Sequence, residues 1–410
     1  PDVEIEFFES SNNLGGRVGS KKIGEKFLDF GGKNIGYKYK LFREFVSEQG
    51  NFDYEYFGVN TSKVVDGKII PINREKNFLS LVRLLKLANI IDLIKLFFLL
   101  NKVKQDTKNS FLNSPSFNKI SKKYDKKNLS SFFSSKCCNN IIRALTVRMN
   151  GAEPEECYIG NFGTNISSAF DKYDQITSGI NGVIEKFFKN FHVSLNTRIT
   201  DLLIDSDKKI YGVKFIDQDN QTSESHYDSV IIATDSISAS KITANISSEL
   251  SKNLTKISYF PVLTLIVEYE KDVFNKDVRA VLFDKNSPLS NAGSYGINSL
   301  NIVRYTFSGK AAREMILSDE INQNDLFDIV NANMPNTLNT KNNKVIFSSF
   351  EKWNYGLCAY SQYHHDKLNE INTNLSDLKS LYLTGDYYGG ASIEACFQSA
   401  KNLIDDEFKF

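Results

Sequence analysis

Three short segments contain residue types that could hold a phosphorylated cofactor. Residues 3–9 read as a strand that alternates early, becomes apolar at Phe7-Phe8 and ends in Glu9. A doubly wound nucleotide-binding fold places the acceptor for ribose hydroxyls at such a strand end. A solvated strand-end glutamate is the plain alternative. Gly15-Gly16-Arg17 combines close backbone approach with one guanidinium, a pairing suited to pyrophosphate. An ordinary glycine turn with a surface arginine would read the same way. Leu383-Thr384-Gly385-Asp386, then Gly389-Gly390 and a helix over residues 392–404, would turn backbone N–H groups and a helix N-terminus toward an anion. A routine strand-to-helix connection is its alternative.

Positioning these groups needs a sheet fed from distant parts of the chain. Residues 229–234 form a continuous apolar run, the pattern of a strand buried on both faces of a parallel sheet, and residues 381–386 form another. Residues 202–205 and 210–216 bracket a polar turn and predict a hairpin-like pair. Residues 193–199 predict a strand, and residues 41–50 and 182–191 predict helices. Residues 262–269 and 345–350 predict strands of a different, more alternating sheet. The mixture predicts an α/β chain.

Residues 77–104 are the longest apolar region. Their polar positions fall three apart, at Ser80, Arg83, Lys86, Asn89, Asp92 and Lys95. Steps of three would circle an unbroken helix, so two helices meeting near Asn89 are expected. They read as a buried pair in a substrate domain or as a basic helix lying in a membrane interface. Charges recur too often for a transmembrane span. Residues 101–140 predict short helices within loops.

The whole chain of 410 residues carries 50 Lys+Arg against 49 Asp+Glu, a net charge of +1. Such balance gives no electrostatic reason to expect a nucleic-acid partner. Five cysteines at irregular spacing and four histidines outside any zinc-like spacing argue against a disulfide framework and a metal centre. The vicinal Cys137-Cys138 reads as packing rather than redox chemistry. Charged residues at the start carry no signal peptide, so a cytoplasmic setting is expected, with peripheral membrane contact through 77–104 as the further option.

Taken together, the segments 9–20 (Glu-Ser-Ser-Asn-Asn-Leu-Gly-Gly-Arg-Val-Gly-Ser), 28–32 (Leu-Asp-Phe-Gly-Gly), 230–234 (Val-Ile-Ile-Ala-Thr) and 381–395 (Leu-Tyr-Leu-Thr-Gly-Asp-Tyr-Tyr-Gly-Gly-Ala-Ser-Ile-Glu-Ala) resemble the flavin-containing amine oxidoreductase superfamily. That superfamily holds amine oxidases, phytoene-type desaturases and protoporphyrinogen oxidase. Gly179 to Val183 and residues 193–199 are similar to its central return to the cofactor domain.

The resemblance implies an FAD-binding, doubly wound (Rossmann-like) domain from residues 1–58, 179–255 and 370–410. A substrate domain with a mixed or antiparallel sheet and helices would come from 59–178 and 256–369. It implies Glu9 on the adenosine ribose, and Gly15, Gly16 and Arg17 along the pyrophosphate and flavin. Gly31, Gly32 and Ala233 would line the cofactor, and Ile199 would sit at its adenine side. Gly385 and Asp386 would hold the pyrophosphate and ribityl region, with the Ile393 N–H near the flavin's pyrimidine edge. The family pattern opens with a Gly-x-Gly-x-x-Gly turn not found in this sequence. The chain is therefore expected to enter that pattern at its second strand, incomplete at the N-terminus.

The implied reaction takes a hydride equivalent from an amine or a hydrophobic C–H substrate onto flavin N5. Ser392 stands where many amine oxidases have an aromatic cage member, and residues 259–267 lack the lysine many carry near the flavin. Residues 353–360, with His364 beyond, resemble the Trp…Pro-x-Tyr…His stretch of desaturases, with Cys358 where proline is common. Trp353, Tyr360 and His364 are thus pocket candidates, and the catalytic residue itself stays unassigned. For Trp353 the alternative is a core aromatic, and for His364 a surface pair with His365. The competing readings are a truncated or catalytically silent member and a membrane-surface binding protein.

Overall fold

A computed structural model describes residues 3–23, 26–56, 61–65, 67–73, 85–169 and 171–408. The part of the 77–104 region before residue 85 lies outside them.

The apolar runs flanking the candidate glycine segments form two parallel pairs. Glu6–Phe8 pairs with His192–Ser194, and Val230–Ile232 pairs with Leu381–Leu383. Among the described residues no ladder joins the pairs; they meet through packing. Phe8 stands 5.2 Å from the Phe215 ring and packs on the core that holds Leu202, Ile232, Leu368, Leu381 and Leu383. Parallel strands need crossover segments, and helices supply them. Asn181–Phe188 precedes His192, Ser236–Thr243 follows Ile232, and Ile393–Glu407 follows Leu383.

The predicted hairpin over 202–216 forms, and Thr222–His226 extends it to three antiparallel strands. Two expected strands are corrected. The run 193–199 divides into His192–Ser194 and Arg198–Ile204, because Asn196 takes a φ of 50° and Thr197 N–H turns to the Glu9 carbonyl at 2.9 Å. The run 229–234 is a strand only over Val230–Ile232, and it is not covered on both faces, since Ile231 is 44% exposed.

Opposite this half lies a seven-stranded mixed sheet. Its order is Val345–Ala359, Ser258–Tyr269, Ile302–Phe307, Leu289–Ser294, Ala280–Leu282, Thr61–Val65 and Lys68–Asn73. The two strands expected in a separate sheet are therefore neighbours in it. Ser258–Tyr269 does not alternate as expected, being buried along most of its length. Leu263, Leu265 and Val267 enter one core with Leu326 and Val330, while Ile266 enters another with Phe30 and Ile302. A strand covered on both faces loses the period of two that a half-exposed strand keeps.

The break expected near Asn89 is present. Residues 85–87 are helical, Ala88 bends, and the Asn89 side chain accepts the Asp92 N–H at 2.8 Å to cap the helix Ile90–Gln105. The segment beyond holds short helices, as expected: Pro115–Tyr124, Leu129–Phe132 and Ser135–Cys137. Among the described residues no helix is long and apolar enough to cross a membrane.

Candidate functional site

The two glycine segments clamp each other. Gly15, at a φ of 97°, opens a 3-10 turn over Gly16–Val18 that no side chain caps. The Gly31 backbone passes so close that a Cβ there would lie 1.8 Å from the Arg17 carbonyl oxygen. Gly32 N–H donates to that oxygen at 3.1 Å. Ile393, first residue of the helix Ile393–Glu407, lies 3.9 Å from where a Gly32 Cβ would be. Gly385 packs less tightly from the other side, its Cβ position 3.2 Å from the Thr234 carbonyl that follows exposed Ala233.

Arg17 carries the charge of this locus. Its Nη1 donates to Asp386 Oδ2 at 2.6 Å and to the Gly356 carbonyl at 3.2 Å, and the Tyr259 hydroxyl donates to Asp386 Oδ1 at 2.5 Å. Burial alone would lower the Arg17 guanidinium; the Asp386 carboxylate overrides it, and the group is held above its ordinary range. Burial pushes the Tyr259 hydroxyl and the Cys358 thiol far up, with the Asp386 charge adding to both, and holds Cys396 at about 12 for the same reasons. The Asp386 side chain is thus fully engaged by protein. What remains for a ligand is its backbone at the start of the short helix Asp386–Gly389.

Glu9 and Ile199 lie at a second locus. Glu9 follows the strand Glu6–Phe8, its Oε1 accepting the Ser11 N–H at 2.8 Å, and its carbonyl holds Thr197. Ile199 comes two residues later, paired with Phe215.

Tyr360 and His364 pack ring to ring at 5.4 Å, both buried. His364 Nε2–H donates to the Tyr387 carbonyl at 2.8 Å, and burial lowers the imidazole to about 4. At neutral pH it is an uncharged donor rather than an acid, and neither it nor His365 is at the surface. Trp353 is half-buried against the Phe30 and Ile266 core, three residues before Gly356.

Several residues beside the site escaped the sequence reading. Arg304 Nη2 donates to the carbonyls of Phe30 at 2.7 Å and Gly31 at 2.8 Å; burial lowers it to about 10, so it stays charged at neutral pH. Lys33 is buried next to Gly32, donating to Gln175 Oε1 at 2.6 Å and the Tyr295 carbonyl at 2.7 Å. Burial, then the Arg304 charge, pushes it well below the lysine range. Asp29 Oδ1 accepts Ser20 Oγ–H at 2.5 Å and the Ile180 N–H at 3.0 Å, tying the Gly31 segment to the central return. Glu394 accepts the N–H groups of Leu41 and Phe42, both at 3.0 Å, capping the helix Lys40–Glu48. One signal was available: an arginine inside the apolar strand 302–307 demands a buried acceptor.

Among the described residues no group of three His, Cys, Asp or Glu could hold a metal ion. Cys137 and Cys138 are buried thiols raised by that burial to about 12 and about 11, in keeping with packing.

The family described as "Flavin containing amine oxidoreductase" matches over residues 3–403. No curated protein matches the chain. Solved structures share its fold at low identity. Putrescine oxidase bound to putrescine superposes with a TM-score of 0.71 at 12% identity, covering 97% of this chain and 92% of that one. Cyclohexylamine oxidase from Brevibacterium oxydans IH-35A gives 0.70 at 12%, covering 98% and 93%. A CLA-producing fatty acid isomerase from P. acnes gives 0.67 at 11%, covering 98% and 92%.

Proposed function

The chain belongs to the flavin-containing amine oxidoreductases, and on that premise we propose that its cofactor is FAD and that it oxidises an uncharged amine or an apolar C–H substrate. The residues fit the cofactor. Among the described residues Arg17 keeps Nε and Nη2 without partners, and Gly16 opens on space with no atom within 4 Å of its Cβ position. Among the described residues the buried Tyr387 hydroxyl has no partner either. That donor-rich set suits an anionic phosphate and a polar ring.

When bound, the flavin supplies the hydride acceptor at N5. Arg17 would neutralise the pyrophosphate, while Asp386 and Tyr259 fix its guanidinium plane. Gly16 would admit the cofactor against bare backbone, while Gly15, Gly31 and Gly32 let the protein segments around it close together. The N-terminal end of Ile393–Glu407 would bring positive dipole and the Ile393 N–H toward the pyrimidine edge. Glu9 would accept the ribose hydroxyls, with Ile199 at the adenine side and Ala233 lining the cofactor near Gly385. Arg304, a guanidinium charged at neutral pH beside Gly31, would disfavour a protonated amine and favour a neutral donor. Trp353 would line the pocket, with the buried Tyr360 and His364 behind its wall.

The Arg17–Asp386–Tyr259 node carries this reading. Arg17→Ala should weaken flavin retention at least about ten-fold, the loss of a charge-assisted contact. Arg17→Lys should restore part of it. Unchanged affinity in the alanine variant, measured by fluorescence titration with FAD, would remove Arg17 from the site.

A further inference from the structure

The helix Ile90–Gln105 is apolar on both sides, and the described residues cover only one. Leu99 and Val103 are buried in a core with Phe117, Leu129, Phe133 and Ile142. On the other side Ile90, Ile91, Ile94, Phe97 and Phe98 are 48% to 66% exposed. Steps of one, four, seven and eight place them on a single strip about 120° wide. Contiguous exposed strips of large apolar side chains mark interaction surfaces.

Charge says what the strip meets. Residues 85–136 hold eleven lysines against three aspartates, a net +8 in a chain whose total is +1, so everything else sums to −7. Asp92 and Asp125 are buried, whereas ten of the eleven lysines are exposed. The basic surface is continuous with the strip. Lys95 Nζ donates to the Phe132 carbonyl at 2.5 Å, the Phe132 ring meets Tyr124 at 6.0 Å, and Lys123 lies over Tyr124 at 5.1 Å. Lys136 reaches back to the Leu85 carbonyl at 3.3 Å.

We propose that this face docks on an anionic lipid surface, with Phe97 and Phe98 entering the acyl boundary and the lysines at headgroup level. A second copy seated on the same strip would bring two +8 surfaces together, which repulsion opposes. The inference stands apart from the flavin reading.

Vesicle flotation tests it, using the full chain with phosphatidylcholine alone and with phosphatidylcholine mixed with phosphatidylserine. The chain should float with the anionic vesicles, at least about ten-fold more weakly with neutral ones, and should be released as salt rises. Phe97→Ser with Phe98→Ser should reduce binding at least about ten-fold while leaving the circular dichroism unchanged, because both rings are exposed. Lys122→Glu, Lys123→Glu, Lys126→Glu and Lys127→Glu together should abolish the preference for anionic lipid. Three results would overturn the proposal: a folded chain that stays with the buffer, flotation indifferent to the serine pair, or a dimer that the serine pair turns into a monomer.

Discussion

His364 is buried deeply enough that its protonation is a property of the fold. Its imidazole titrates at about 4 in the folded chain against 6.5 ordinarily. Between those values the unfolded chain takes up a proton that the folded chain refuses. Its contribution is fully present above 6.5 and falls as pH drops through this window, by about 3 kcal/mol in all. His364→Gln, which keeps an N–H donor for the Tyr387 carbonyl, should flatten the stability curve between those pH values in denaturant titrations. Parallel curves for the two proteins would contradict that assignment. Glu9, Arg17 and Asp386 could be named from sequence because a strand end or glycine turn marks them locally. For Arg304 the sequence offers only its place in an apolar strand, and for Lys33 nothing, since their partners at Phe30, Gly31, Gln175 and Tyr295 are set by folding across long separations.

Helix starts and glycine crossings hold the site elements together. Glu394 ends one helix's orphan donors from within another, so Glu394→Ala removes two charge-assisted bonds and should cost about 2–4 kcal/mol. The urea midpoint should fall with an unchanged slope; an unmoved midpoint would sink the cap. Gly31→Ala and Gly16→Ala should differ sharply in stability. The first drives a methyl into the Arg17 carbonyl, whereas the second meets open space and costs only the strain of a φ of 49°, about 1–2 kcal/mol. Equal urea midpoints for the two variants would show that the crossing does not hold the site elements together. The break at Asn89 was legible because polar positions three apart would circle an unbroken helix. The division at Asn196 was not, because it depends on Glu9 far upstream.

Across the whole molecule, the segments that resembled the family are the ones the fold gathers, although residues 15–32 and 385–393 stand at opposite ends of the chain. The α/β class followed from apolar periodicity, which reports burial directly. Sheet order did not, because the partner of Ser258–Tyr269 is chosen by packing with strands and helices far along the sequence. On the proposed reading, the Arg17 node and its glycine crossings form a flavin site. The most direct measurement is the visible absorption spectrum of the purified chain after incubation with FAD and removal of the excess. The two visible bands of an oxidised flavin should appear, be lost on denaturation and be weakened by Arg17→Ala. A well-folded chain that stays colourless would contradict that reading.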